Sequence, residues 1–255
     1  MCAYGLAELY LARAMRAHGC PVCRCNGEAE RRCLRYLLWE RVTDAGTRVR
    51  LVRSLGFCHR HAHLFLHLEL AEWDRSLGNT VIYESLALQE CNSIREARRL
   101  LGQRDEPSVW KRLTRRLIGV RSPHDMPRLA RGACPVCESV RETEEHHCST
   151  LADMMEQPKY RAMLDRSSGV CLAHLQVALD ARASTEGLRY LLNDTESRLG
   201  AVARASREYQ ESIQDEDAIA TLGNEVAQRA ISLFAGDDGG ACFDPRWQRR
   251  DAQQE

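Results

Sequence analysis

Eight residues of this chain have the types and spacing that metal chemistry wants. Cys20-Pro21-Val22-Cys23 is followed by Gly56-Phe57-Cys58-His59-Arg60-His61, and Cys134-Pro135-Val136-Cys137 is followed by Gly169-Val170-Cys171-Leu172-Ala173-His174. Each half thus supplies three thiols and one imidazole, a donor set suited to tetrahedral Zn²⁺. Four protein donors close the coordination shell and leave no position for a catalytic water. The expectation is two structural zinc ions per chain. One is held by Cys20, Cys23, Cys58 and His61, the other by Cys134, Cys137, Cys171 and His174.

Local chemistry agrees with this reading. Proline inside each pair fixes φ near −65° and predicts a tight turn that presents both sulfurs together. Gly56 and Gly169 let the backbone turn sharply into a helix. Cys58 and His61, like Cys171 and His174, then lie at i,i+3 on one helical face, where unpaired amides and the helix dipole favour a thiolate. Structural zinc in small peptides contributes on the order of 10–16 kcal/mol. That rivals the whole net stability of a domain, about 5–15 kcal/mol.

The rival chemistry for C-P-V-C is thiol–disulfide exchange, which normally places the first cysteine after a strand in a β/α fold. The segment before each pair here reads as helical, and each pair has a C-x2-H mate. A thiolate cluster that releases zinc on oxidation is a second alternative. A zinc deaminase is excluded by its motif, which needs proline before the pair and an upstream H-x-E. His59, His63 and His67 form a further stripe, but Leu172, Gln176 and Asp180 stand at the matching positions of the second half, so a metal face there is not expected. His146 and His147 read as a solvated helix face. Cys2, Cys25, Cys33, Cys91, Cys148 and Cys242 share no spacing and read as small buried hydrophobes or incidental thiols.

The elements that must position these residues are helices, because apolar residues recur at a period near 3.6 and no alternating β-branched run appears. Leu6, Leu9, Tyr10 and Ala14 predict a first amphipathic helix ending near Gly19. Ala29, Cys33, Tyr36 and Leu37 predict a second. Leu64, Leu68 and Ala71, with Leu66, Leu70, Trp73 and Leu77, predict a broad apolar helix after His61. Another spans about 80–101. In the second half helices are expected near 138–154, from Leu188 through Leu191, Leu192, Thr195, Leu199 and Val202 to Tyr209, and through Ile219, Leu222, Val226, Ala230 and Leu233. Arg48, Leu51, Arg53, Ser54 and Gly56 align with Arg161, Leu164, Arg166, Ser167 and Gly169, which argues for duplication. The expected architecture is all-α: a zinc-binding unit at 1–103, a basic linker with a short helix at 104–131, a second zinc-binding unit at 132–235, and a flexible tail at 236–255.

At 255 residues, 44% hydrophobic and 28% charged, the chain reads as globular. Its net charge of zero hides an asymmetry: residues 1–133 carry 23 Lys+Arg against 14 Asp+Glu, and the remainder carries 13 against 22. Arg112, Arg115 and Arg116 in the linker suit nucleic-acid phosphates, although docking on the acidic second half is the simpler expectation. Trp110, Leu113, Leu117 and Ile118 add an apolar stripe beside them. No uncharged run is long enough to span a bilayer, and no signal-peptide pattern opens the chain, so a cytoplasmic location is expected.

At these ligand residues the chain resembles an uncharacterised prokaryotic family of domain-of-unknown-function proteins with C-P-x-C, a helical spacer and G-F-C-x-x-H, repeated in longer members. The resemblance spans roughly residues 15–200. At the second corner Val170 stands where the pattern has an aromatic residue. The resemblance implies a helical protein with repeated units and carries no activity. With closed metal sites and no paired catalytic groups, a non-enzymatic scaffold or regulatory protein with an unknown protein partner is expected.

Overall fold

The computed structural model describes residues 3–102, 132–211 and 216–236. Among them every regular element is helical. In chain order these are α1 (Ala3–Ala14), α2 (Pro21–Tyr36) running into a π-helical turn (Leu37–Arg41), α3 (Ala45–Ser54), α4 (His59–Trp73) and α5 (Leu77–Gly102). Beyond residue 131 come α6 (Pro135–Met154), α7 (Pro158–Asp165), α8 (Leu172–Asp180), α9 (Thr185–Glu211) and α10 (Glu216–Ala235). The expected linker at 104–131, with Arg112, Arg115 and Arg116, lies outside the described residues, as does the tail beyond Gly236.

The compact units are not the sequential halves expected from the repeat. One comprises Met1–Arg32 with Ser139–Glu255, and the other Cys33–Glu138. The chain leaves the first unit, builds the second, and returns. These bounds differ from the 1–103 and 132–235 division, and the two Cys/His clusters described below follow them.

In the first unit the core gathers Leu11, Met15, Val22, Leu151, Met155, Leu164, Val170 and Leu191 around buried cysteines. Val170 is only 1% exposed and belongs to this core. The inward face of α1 keeps the expected Ala14 and the partly buried Tyr10 but differs at its start. Ala7, Leu11 and Ala14, at i, i+4 and i+7, are buried, whereas Leu6 and Leu9 face outward. α6 and α9 pass closely at Gly187, where an added Cβ would collide with the Ala152 carbonyl. α10 packs on α9 and α8.

In the second unit Phe57 and Phe65 pack with ring centroids 5.0 Å apart, and Leu51, Leu68, Ile82 and Leu100 are buried as well. On α4 the expected Leu64–Leu68 stripe is buried, but Ala71 is exposed and Glu69 takes a buried place instead. Glu69 caps the next helix: it accepts hydrogen bonds from the Gly78 amide and, at 3.0 and 2.7 Å, from the Asn79 amide and side chain. α3 starts on Asp44, whose carboxylate accepts from Thr47 N at 2.8 Å. That bond holds the Asp44 carboxyl below its ordinary range. α3 ends with Leu55 in the left-handed region (φ 52°), followed by Gly56 (φ 83°). The matching corner before α8 has Gly169 at φ 77°. Both corners need a conformation that side chains with a Cβ adopt at a cost.

Candidate metal centres

Both C-P-V-C pairs form the first turn of a helix, where a tight turn was expected. Cys20 precedes α2 and accepts from Arg24 N at 3.1 Å, and Cys134 precedes α6 and accepts from Glu138 N at 3.1 Å. Each is an N-cap, with proline at the first helical position, where the missing amide costs nothing. The second cysteine follows at the third helical position. The C-x2-H pairs have the same register: Cys58 caps α4 and Cys171 caps α8, with His61 and His174 three residues inside. Every donor pair therefore sits on a helix N-terminus, whose unpaired amides and positive dipole end favour anionic sulfur.

The pairs meet in an exchanged order. Cys20, Cys23, Cys171 and His174 come together in the first unit, and Cys58, His61, Cys134 and Cys137 in the second, with all four donor atoms of each group within 4.8 Å of one another. The pairing within sequential halves is thus overturned. Each cluster takes a C-P-V-C pair from one half of the sequence and a C-x2-H pair from the other. The eight residues are the ones the spacing picked out, but spacing could not say which pair joins which.

In the first cluster His174 Nδ1 lies 3.6, 3.4 and 3.1 Å from the sulfurs of Cys20, Cys23 and Cys171, and the Cys23 and Cys171 sulfurs are 3.8 Å apart. In the second, His61 Nδ1 lies 3.2, 3.6 and 3.3 Å from those of Cys58, Cys134 and Cys137, with Cys58 and Cys137 at 3.7 Å. A tetrahedron with metal–sulfur bonds of about 2.3 Å and a metal–nitrogen bond of about 2.0 Å has edges of roughly 3.8 and 3.6 Å. Both clusters have dimensions that can enclose one ion. The first is wholly buried, whereas Cys58 and Cys137 of the second are partly exposed.

Charge in the clusters points the same way. Hydrogen bonds from Cys20 and Cys23, with His174, hold the Cys171 thiol far below its ordinary value, while burial pushes Cys20 well above it. Burial opposes protonation of His174, yet the neighbouring Cys171 and Cys23 sulfurs and Glu144 raise it to about 12. In the second cluster burial works against Cys134, but bonds from His61 and nearby amides bring it down to about 6, and burial beside Cys134 lifts Cys137 to about 12. One thiolate raises the cost of the next. A bound cation would remove that conflict.

Tethers next to the ligands hold the exchanged pairs in place. Gly19 N donates to Ser168 Oγ at 2.8 Å, fixing the Cys20 turn to the Gly169 corner. In the second unit Gly132 N donates to Arg53 O at 3.2 Å, fixing the Cys134 turn to the Gly56 corner. Arg198 clasps the first corner, donating at 2.9 Å to both the Ser167 and Leu164 carbonyls and pairing with Asp194 at 2.8 Å.

Three contributors escaped the sequence reading. Glu144 lies 2.8 Å from His174 Nε2, and Asn26 Nδ2 lies 3.2 Å from the same nitrogen. They leave Nδ1 to face the sulfurs and give the imidazole the carboxylate support common behind metal-bound histidine. A signal existed: the partly buried Glu144 stands ten residues after Cys134, as the buried Glu30 does after Cys20. The third is Gly236, expected to begin a loose tail. It sits at the end of α10 with φ 78°, so close over the first cluster that a Cβ there would lie 2.9 Å from Cys23 Sγ.

The other candidates do not join a cluster. His59 and His63 stack edge to face at 4.6 Å on the exposed side of α4, and His67 is exposed as well. His147 is buried, contrary to the solvated face expected, and burial lowers it to about 4. Cys25 and Cys148 are buried thiols raised to about 12 by burial, in line with a packing role. All ten described cysteines are free of disulfides. No helix among the described residues is long and apolar enough to cross a membrane.

The chain matches the Family of unknown function (DUF6062) over residues 6–216 and belongs to that family. No curated protein and no solved structure matches it.

Proposed function

We propose that the protein is a non-enzymatic helical scaffold that binds two Zn²⁺ ions through Cys20, Cys23, Cys171 and His174, and through Cys58, His61, Cys134 and Cys137. The observation that carries this reading is the presence of two Cys3His groups of tetrahedral dimensions, each formed where two helix N-termini meet. Three sulfurs and a nitrogen suit zinc over the harder Mg²⁺ or Ca²⁺, which take oxygen donors. Four protein ligands per ion leave no open position, which favours a structural role over hydrolysis. The work of the ions is then to fasten remote segments of one chain and to display the helical surface to a protein partner.

Elemental analysis of protein purified without added metal should return about two zinc ions per chain. Stripping them with a chelator should cost helix content in both units, because structural zinc supplies on the order of 10 kcal/mol. A metal-free preparation with undiminished helicity and cooperative unfolding would remove the structural reading.

The partly exposed Cys58 and Cys137 favour a second reading for the second cluster alone, zinc release on thiol oxidation. It predicts that dilute peroxide frees one zinc per chain while the buried first cluster keeps its ion. Equal resistance of both ions to millimolar peroxide would count against it.

A further inference from the structure

Beside the first cluster, the first unit contains a cavity of about 540 Å³ that takes no part in metal binding. Its volume falls within the range of about 300–1,000 Å³ typical of small-molecule sites. Three segments that form it lead straight to the metal centre. Met15 to His18 precede Cys20, Arg166 to Ser168 precede Cys171, and Ser232 and Leu233 precede Gly236. The side of α9 from Arg198 to Ala205 completes it.

The lining divides into two chemistries. Met15, Ala201, Val202, Val226 and Leu233 provide an apolar wall. Arg16, His18, Arg166 and Arg229 provide a basic rim, and Ser167 and Ser168 add polar groups. No carboxylate lines the cavity among the described residues. Arg198 also reaches it, but its charge is matched by Asp194 and its donors hold the corner carbonyls. Among the described residues Arg229 meets a carboxylate only in a long, exposed contact of 3.9 Å with Glu225. Arg16 and Arg166 have no carboxylate partner among the described residues. Two uncompensated guanidinium groups at the mouth of an apolar hollow fit one kind of guest, since guanidinium forms its strongest hydrogen bonds with anionic oxygen.

We propose that this cavity binds a small amphiphilic anion, an acid head group on a hydrocarbon body, with the head at Arg16 and Arg166 and the body against Val202, Val226 and Leu233. Neither an uncharged amphiphile nor a bare inorganic anion satisfies both halves of the lining. The site is separate from the metal ligands and stands whether or not the ion is zinc.

The test uses the full-length, metal-replete protein and the fluorescent probe 1-anilinonaphthalene-8-sulfonate, an aromatic sulfonate. The probe should bind saturably with one site per chain. Decanoate should displace it, whereas decanol and inorganic phosphate at the same concentration should not. Reversing charge with Arg16→Glu and Arg166→Glu together should weaken the probe about tenfold or more, the loss of at least one charge-assisted hydrogen bond. Val202→Trp, which fills the hollow and leaves the rim intact, should weaken it as well. Circular dichroism and zinc content of each variant establish that the fold is retained. Displacement by decanol equal to that by decanoate would overturn the proposal. So would displacement by phosphate alone, or undiminished probe binding in either folded variant.

Discussion

His174 shows how much a single side chain can decide at the first metal centre. Its Nδ1 faces three sulfurs, while Glu144 lies 2.8 Å from Nε2 and fixes both the ring orientation and the tautomer. Such outer carboxylates raise the basicity of a ligating imidazole, and their removal typically costs about 10–100-fold in metal affinity. Glu144→Ala should therefore weaken one of the two zinc ions by that factor in a competition titration with a chromophoric chelator and leave the other unchanged. Gly236 covers the same cluster. A Cβ there meets Cys23 Sγ at 2.9 Å and would also need a positive φ. Gly236→Val should speed transfer of this one zinc to the chelator; an unchanged transfer rate would mean that the end of α10 does not shield the sulfurs.

Helix termini are the recurring device at the scale of elements. All four donor pairs occupy N-cap and third positions, so the sequence motif that marks a metal ligand also marks where a helix starts. This is why the helices carrying the Cys/His donors were legible in the sequence, although the C-P-V-C pairs read as separate turns. The π-helical turn at Leu37–Arg41 and α3 were not legible, because their short stretches carry no sustained apolar period. The inward face of α1 was misread for a related reason. Ala7 is buried beside the expected Ala14 while Leu6 and Leu9 face outward, and hydrophobicity alone favours the leucines. Termini without cysteine donors use carboxylates. Glu69, 4% exposed, satisfies the Gly78 and Asn79 amides at the start of α5. Glu69→Ala leaves these donors unmet and should lower stability by about 3 kcal/mol in denaturant unfolding, with Glu69→Gln losing less. At the start of α3, Asp44→Ala should lower the midpoint while Asp44→Asn, still a good cap, should nearly preserve it.

The whole molecule is organised by the exchange of ligand pairs. The first cluster joins sulfurs of Cys23 and Cys171, 148 residues apart, and the second those of Cys58 and Cys137, 79 apart. A spacing argument favours the nearest mates, yet closure entropy rises only as the logarithm of loop length. Each doubling costs about 0.6 kcal/mol. That penalty is small beside the on the order of 10 kcal/mol available from structural zinc, so distance along the chain could not choose the partners. Packing around the corners chose them, through contacts such as Gly19 with Ser168 and Gly132 with Arg53. The donor identities were therefore readable from residue types, whereas the connectivity and the bounds of the two units needed tertiary structure.

Counting zinc in paired cysteine variants tests this exchange most directly. Cys20→Ser with Cys171→Ser places both lesions in one cluster, and Cys20→Ser with Cys58→Ser places one in each. The exchanged connectivity predicts that the first double variant keeps about one zinc per chain and the second about none. Retention of one zinc by Cys20→Ser/Cys58→Ser and loss of both by Cys20→Ser/Cys171→Ser would contradict it.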